Sequence, residues 1–168
     1  SADAADLNKA TTAIFYSISN TQVGLRGVSF GDSLIKHVVE TLQAEFPRLR
    51  MFATLSPIPG FRAWLGKNAA PLLERLDDKT RAELGRAVGF EPVNATHLLA
   101  VMEKPLELDA KSPVRQVLVQ YAAHYLGREL ANGKPLDAVA RFHLGNGARV
   151  ERLNWLAELA RASKLALI

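Results

Sequence analysis

Apolar and polar positions follow two different periods along this chain, and the changes of period divide it into elements. After a polar lead-in of about ten residues, Ala13–Ser19 (AIFYSIS) gathers aromatic and β-branched residues and is closed by Asn20, which predicts a strand. Thr21–Gly31 carries Gly24, Gly27 and Gly31 and predicts a loop that feeds a helix. From Gly31 onward Leu34, Ile35, Val38, Val39, Leu42 and Phe46 recur at helical spacing, until Pro47 ends the pattern. Met51–Leu55 (MFATL) predicts a second strand, and the segment after it, SPIPGF, is kinked by two prolines.

Residues 62 to about 133 read as helical. Trp64 and Leu65, then Leu72, Leu73 and Leu76, then Val117 to Leu130 supply apolar faces, broken by Pro71, Pro92, Pro105 and Pro113. Gly133 to Pro135 closes this region. Ala138–Leu144 and Ala148–Trp155 are expected as two strands around Gly145-Asn146-Gly147, a hairpin signal. Leu156–Ile168 is expected as an amphipathic helix. The order predicts a mixed α/β (α+β) chain with a parallel crossover early and an antiparallel pair late. Residues 1–168 are expected to form one domain, with 62–133 as a helical insertion within it.

Composition narrows the function classes only modestly. A chain of 168 residues, 48% hydrophobic and 23% charged, can bury a useful core as one globular domain. It contains no run of eighteen apolar residues, so no membrane span is expected. The start does not resemble a secretory leader. Zero cysteines exclude disulfides and thiolate metal sites and suit a reducing compartment, here expected to be cytoplasmic. The net charge of +4 favours anionic partners, but the basic residues are scattered rather than clustered. No nucleic-acid partner is expected, and a phosphorylated small ligand suits the charge equally well.

Three places carry candidate chemistry. In QVGLRGVSFGDSLI, glycines allow close backbone approach, and the helix that follows offers free N–H groups and its positive dipole end to a pyrophosphate. Read as Arg26-Gly27-Val28-Ser29-Phe30-Gly31, the loop resembles the acyl-CoA-binding motif of the GNAT acyltransferase superfamily, with Ser29 where the first glycine is expected. Equally, the glycines need only shape a turn; no Gly-Lys-Ser/Thr follows, so it is not a P-loop. Ser56 ends a strand before Pro57-Ile58-Pro59, where its hydroxyl can project into a cleft or bond a local turn. It does not stand in a Gly-x-Ser-x-Gly elbow. Strand alternation would put His143 on one sheet face with Val139 and Arg141, as a proton donor and acceptor or as a structural residue. His37, His97 and His124 lie in helices without metal-ligand spacing, and no metal is expected.

Four segments together carry a stronger signal: FYSISNTQ (15–22), GVSFGDSLIKHVVETLQAEFP (27–47), TLSPIPGF (54–61) and PLDAVARFHLGNGARVERLNW (135–155). With the less specific AAHYL (122–126), they resemble the malonyl-CoA decarboxylase family over Thr12–Phe61 and Val114–Ala157, with the middle insertion less similar. The resemblance implies a GNAT-like fold and decarboxylation of malonyl-CoA to acetyl-CoA. It also implies a catalytic pair of Ser56 and His143, and substrate binding by Gln22, Gly24, Arg26, Gly27, Val28, Ser29, Gly31 and Asn154. It calls for no cofactor, because the thioester carbonyl itself accepts the electrons released with carbon dioxide. Family members carry strands and a helical domain before FYSIS and a tyrosine-bearing segment after Asn154-Trp155. The chain is therefore expected to be an incomplete catalytic domain, with association of like chains through missing or helical regions. A GNAT-type acyltransferase and a non-catalytic CoA-binding module are the alternatives.

Overall fold

The computed structural model describes residues 7–16, 30–103, 108–155 and 165–167. Cα proximity divides the chain into two units, residues 1–56 with Ile168 and residues 57–167. The first holds strand β1 (Thr12–Tyr16), helix α1 (Phe30–Glu45) and nearly all of strand β2 (Met51–Pro57). β1 and β2 pair in parallel, from Thr12 opposite Met51 to Tyr16 opposite Leu55. A parallel pair needs a long crossover, and the connection containing α1 supplies it, as the alternation of periods predicts. Phe15 and Phe52, neighbours across the pair, stack with ring centroids 6.3 Å apart. The Arg50 and Met51 N–H groups both donate to the Thr11 carbonyl, extending the ladder by one step.

The second unit is built on four helices: α2 (Phe61–Glu74), α3 (Asp78–Val88), α4 (Ala95–Glu103) and α5 (Pro113–Arg128). α5 shows why they assemble. Val114, Val117, Leu118, Tyr121, Ala122, Tyr125 and Leu126 are buried, a stripe at i, i+3, i+4, i+7 and onward, and Pro113 at its first turn loses no helical bond. Phe61, Trp64, Leu65, Ala69 and Leu73 form the matching stripe of α2. Together with Leu84, Leu98 and Met102 these residues make one continuous core. Arg81 closes the end of α2, its Nη2 donating to the Glu74 and Leu76 carbonyls at 2.8 and 2.9 Å. Pro71 was expected to break this region but lies inside α2. It sits on the exposed face, where loss of one backbone bond is tolerated beside so much buried surface.

The segment after α5 departs most from expectation. Strands β3 (Leu130–Ala131) and β4 (Lys134–Pro135) form a minimal antiparallel pair around Asn132-Gly133. Ala138–Gly145, expected as a strand, is helix α6. There is accordingly no hairpin at Gly145-Asn146-Gly147. The Asn146, Gly147 and Ala148 N–H groups instead close the end of α6 on the carbonyls of Phe142, His143 and Leu144, and Gly147 takes a φ of 84° that favours glycine. Strand β5 is confined to Leu153–Trp155 and pairs antiparallel with β6 (Leu165–Leu167). Of the expected terminal helix Leu156–Ile168, residues 165–167 form a strand instead, whose apolar Leu-Ala-Leu continues a ladder, and the remainder lies outside the described residues. The architecture is mixed α/β, as the sequence predicts.

Candidate active site

Ser56 is the buried position of β2, 3% exposed, between two neighbours that are less covered. The prolines that follow it set the next turn: Ile58 is fully buried, and its carbonyl accepts from the Phe61 N–H at 3.3 Å, so the chain turns directly into α2. His143 occupies the last turn of α6 and is half-buried. Its face is therefore set by helical rather than strand geometry, and the grouping with Val139 and Arg141 by alternation does not hold. Burial pulls its pKa below the usual 6.5, so the imidazole is neutral at pH 7. Phe142 meets the His143 ring edge-on, with centroids 5.2 Å apart.

Asn154 is the middle residue of β5, opposite Ala166. Its Nδ2 is buried and has no hydrogen-bond partner. A buried amide donor left unpaired costs free energy, which a ligand oxygen placed against it would recover. Of the glycine loop, Phe30 and Gly31 are described, as the first two residues of α1. Gln22, Gly24, Arg26, Gly27, Val28 and Ser29 lie outside the described residues. Among the described residues no three His, Asp or Glu side chains gather as a metal-holding group, and no helix is long and apolar enough to cross a membrane.

Sequence reasoning did not single out the group that holds α6 in place. Asp137 is 1% exposed and caps the helix: its Oδ1 accepts from the Val139 and Ala140 N–H groups, each at 3.0 Å. Its Oδ2 accepts from the Tyr125 hydroxyl on α5 at 3.2 Å. The Tyr125 ring packs against those of Phe61 and Trp64, with centroids at 6.0 and 5.1 Å. Burial, and then the neighbouring Asp137 carboxylate, push the Tyr125 phenol up to about 12, so it remains a donor at any physiological pH. Gly60, the residue before α2, packs so closely that a Cβ there would collide with the Tyr125 hydroxyl and lie 3.3 Å from Asp137 Oδ2. The available signal was Asp137 directly ahead of an apolar run, a helix-start pattern.

Residues 1–166 match the family described as malonyl-CoA decarboxylase C-terminal domain, including the middle region between Phe61 and Val114 that the sequence motifs left out. The mitochondrial malonyl-CoA decarboxylase of Rattus norvegicus is 40% identical over 90% of this chain, and the chain spans 32% of that relative. The mitochondrial enzyme of Mus musculus is 39% identical, with the same coverage of each. The crystal structure of malonyl-CoA decarboxylase from Cupriavidus metallidurans superposes with a TM-score of 0.74 at 44% identity, covering 96% of this chain and 42% of that one. That from Rhodopseudomonas palustris gives a TM-score of 0.68 at 42% identity, covering 96% and 38%. The chain thus spans about a third of the length of the curated relatives it matches.

Proposed function

This chain belongs to the malonyl-CoA decarboxylase family, and on that premise we propose that it forms the part of a carboxy-lyase that removes carbon dioxide from malonyl-CoA. The single observation that carries the reading is the family match over nearly the whole chain. The frame proposed is GNAT-like, and the parallel β1–α1–β2 crossover supports it. In it the loop of Gln22, Gly24, Arg26, Gly27, Val28, Ser29 and Gly31 holds the CoA pyrophosphate at the N-terminus of α1.

The chemistry asked of the protein is small and specific. The bond between the malonyl carboxylate and the α-carbon breaks, carbon dioxide leaves, and the electron pair passes onto the thioester oxygen as an enolate. A proton then reaches the α-carbon and gives acetyl-CoA. The thioester is its own electron sink, so the scheme calls for no organic cofactor. What the enzyme contributes is placement and donors aimed at the developing oxyanion, each worth roughly 3 kcal/mol of barrier. In the proposed site Ser56 donates its one proton to the malonyl group, and a neutral His143 donates its ring N–H to the Ser56 oxygen, fixing the hydroxyl's direction. Its depressed pKa favours that orienting role over a standing imidazolium acid. Asn154 offers its unpaired amide to a substrate oxygen.

Incubation with malonyl-CoA, with and without an amine acceptor, tests the reading by product mass. Acetyl-CoA formed without acceptor supports decarboxylation, acylated amine replaces it with acyl transfer, and binding without product leaves a CoA-binding module. A Ser56→Ala protein with full turnover removes the serine from the scheme. Association of like chains through the helical region is also proposed, to be read by light scattering. The compartment proposed is a reducing one such as the cytoplasm; the rat and mouse relatives are named mitochondrial.

A further inference from the structure

α6 is only eight residues long and carries His143 in its last turn. A helix that short has little stability of its own, so its position depends on what holds its ends. Its N-terminus is held by one carboxylate used twice. Asp137 Oδ1 takes the two backbone N–H groups of the first turn, and Oδ2 takes the Tyr125 hydroxyl from the middle of the core. Tyr125 is itself immobilised: 3% exposed, its ring is packed by Phe61 and Trp64 of α2. The third side of the cluster is backbone. Gly60 lies against both side chains: a Cβ there would collide with the Tyr125 hydroxyl and stand 3.3 Å from Asp137 Oδ2. Gly60 closes the Pro57-Ile58-Pro59-Gly60 turn, which begins at the residue after Ser56.

We infer that the Tyr125–Asp137 hydrogen bond, closed over by Gly60, is a positioning device that sets α6, and with it the His143 imidazole, against the turn that follows Ser56. Tyr125 and Asp137 touch no substrate in this scheme; they act through α6. The inference rests on the proposed role of His143 for its catalytic consequence, though not for its geometry. Two hydrogen bonds would cap a helix equally well from an exposed aspartate, as Asp77 does for α3 by accepting from the Thr80 N–H. Burial of Asp137 and its coupling to a tyrosine of another helix fix where the helix points, which capping alone does not require.

The test compares Tyr125→Phe, Asp137→Asn, the double variant and Asp77→Ala. Asparagine preserves a helix cap but exchanges one carboxylate oxygen for a donor. Turnover of malonyl-CoA is expected to fall about tenfold in kcat, with KM within about twofold, in Tyr125→Phe and Asp137→Asn. The double variant should be no worse than either single one, because both remove one bond. Asp77→Ala, which uncaps a helix elsewhere, should lose stability and keep its kcat. Independently of activity, the His143 ring signals should shift in Tyr125→Phe and its titration midpoint should rise toward 6.5 as the ring is uncovered. In Asp77→Ala both should stay in place. Unchanged His143 signals in folded Tyr125→Phe, or a kcat no lower than that of Asp77→Ala, would overturn the inference. A wild-type protein inert toward malonyl-CoA whose His143 still responds to Tyr125→Phe would refute the functional proposal and leave the positioning intact.

Discussion

Two tyrosines on one face of α5 illustrate how differently the same hydroxyl counts. Tyr121 and Tyr125 are both buried, 4% and 3% exposed. The Tyr125 hydroxyl donates to Asp137, whereas the Tyr121 hydroxyl has no partner. Removing an unpaired buried hydroxyl recovers its desolvation cost, whereas removing a paired one leaves the acceptor stranded. Tyr121→Phe is therefore expected to be neutral or stabilising, and Tyr125→Phe destabilising by about 1–2 kcal/mol, read from urea midpoints. Gly60 gives a second contrast. Its φ of −78° and ψ of −17° suit any residue, so conformational entropy alone would favour alanine by about 0.4–1 kcal/mol. The added methyl meets the Tyr125 hydroxyl in a packed core, and overpacking costs about 1–3 kcal/mol. Gly60→Ala should thus destabilise, and Tyr125→Phe introduced beside it should recover part of the loss by removing the atom in the way.

At the level of elements, α6 is where local pattern and observed structure part. Val139, Arg141 and His143 alternate with Ala140, Phe142 and Leu144, which reads as a strand as readily as a short helix. The decision lies in the ends: Asp137 satisfies two N–H groups and Gly147 supplies the left-handed turn beyond the last one. Alternation is ambiguous over eight residues, and caps are what resolve it. The longer elements were legible because their signals are redundant: seven buried positions recur at helical spacing along α5, and β1 and β2 flank a helix that only a parallel crossover explains. For the site, Ser56 and His143 could be named from motifs, but Tyr125, Asp137 and Gly60 could not be grouped. They come from three elements that only the tertiary packing joins. It follows that Asp137→Ala should cost about 1 kcal/mol for the cap and about 1–3 kcal/mol more for the stranded Tyr125 hydroxyl. Asp137→Asn should retain the cap's share. Denaturant midpoints of the two variants separate the contributions: equal losses would mean that the cap contributes nothing, and no loss in Asp137→Asn that the tyrosine bond contributes nothing.

For the whole molecule, buried titratable groups set the limits of pH within which the fold holds. On the acid side, burial lowers the pKa of His143 from 6.5 in the folded state. As pH falls through 6.5 the unfolded chain takes up a proton that the folded chain refuses, so stability is lost from 6.5 downward to the folded pKa. On the alkaline side, burial raises Tyr121 and Tyr125 from 10.0 to about 12. The unfolded chain releases those protons near 10 and the folded chain does not, so stability is lost as pH rises from about 10 to 12. These groups leave stability level between 6.5 and 10. The alkaline limb is the sharper test, because the sequence has three tyrosines and two are retarded. Tyrosinate absorbance from Tyr121 and Tyr125 should therefore appear late and coincide with loss of the helical circular dichroism signal. Titration of both α5 hydroxyls near 10, with the helical signal intact, would mean that α5 does not hold its tyrosines in the core. Tyr121→Phe and Tyr125→Phe should each remove about half of the late stage, and a change in only one would assign it to that helix position.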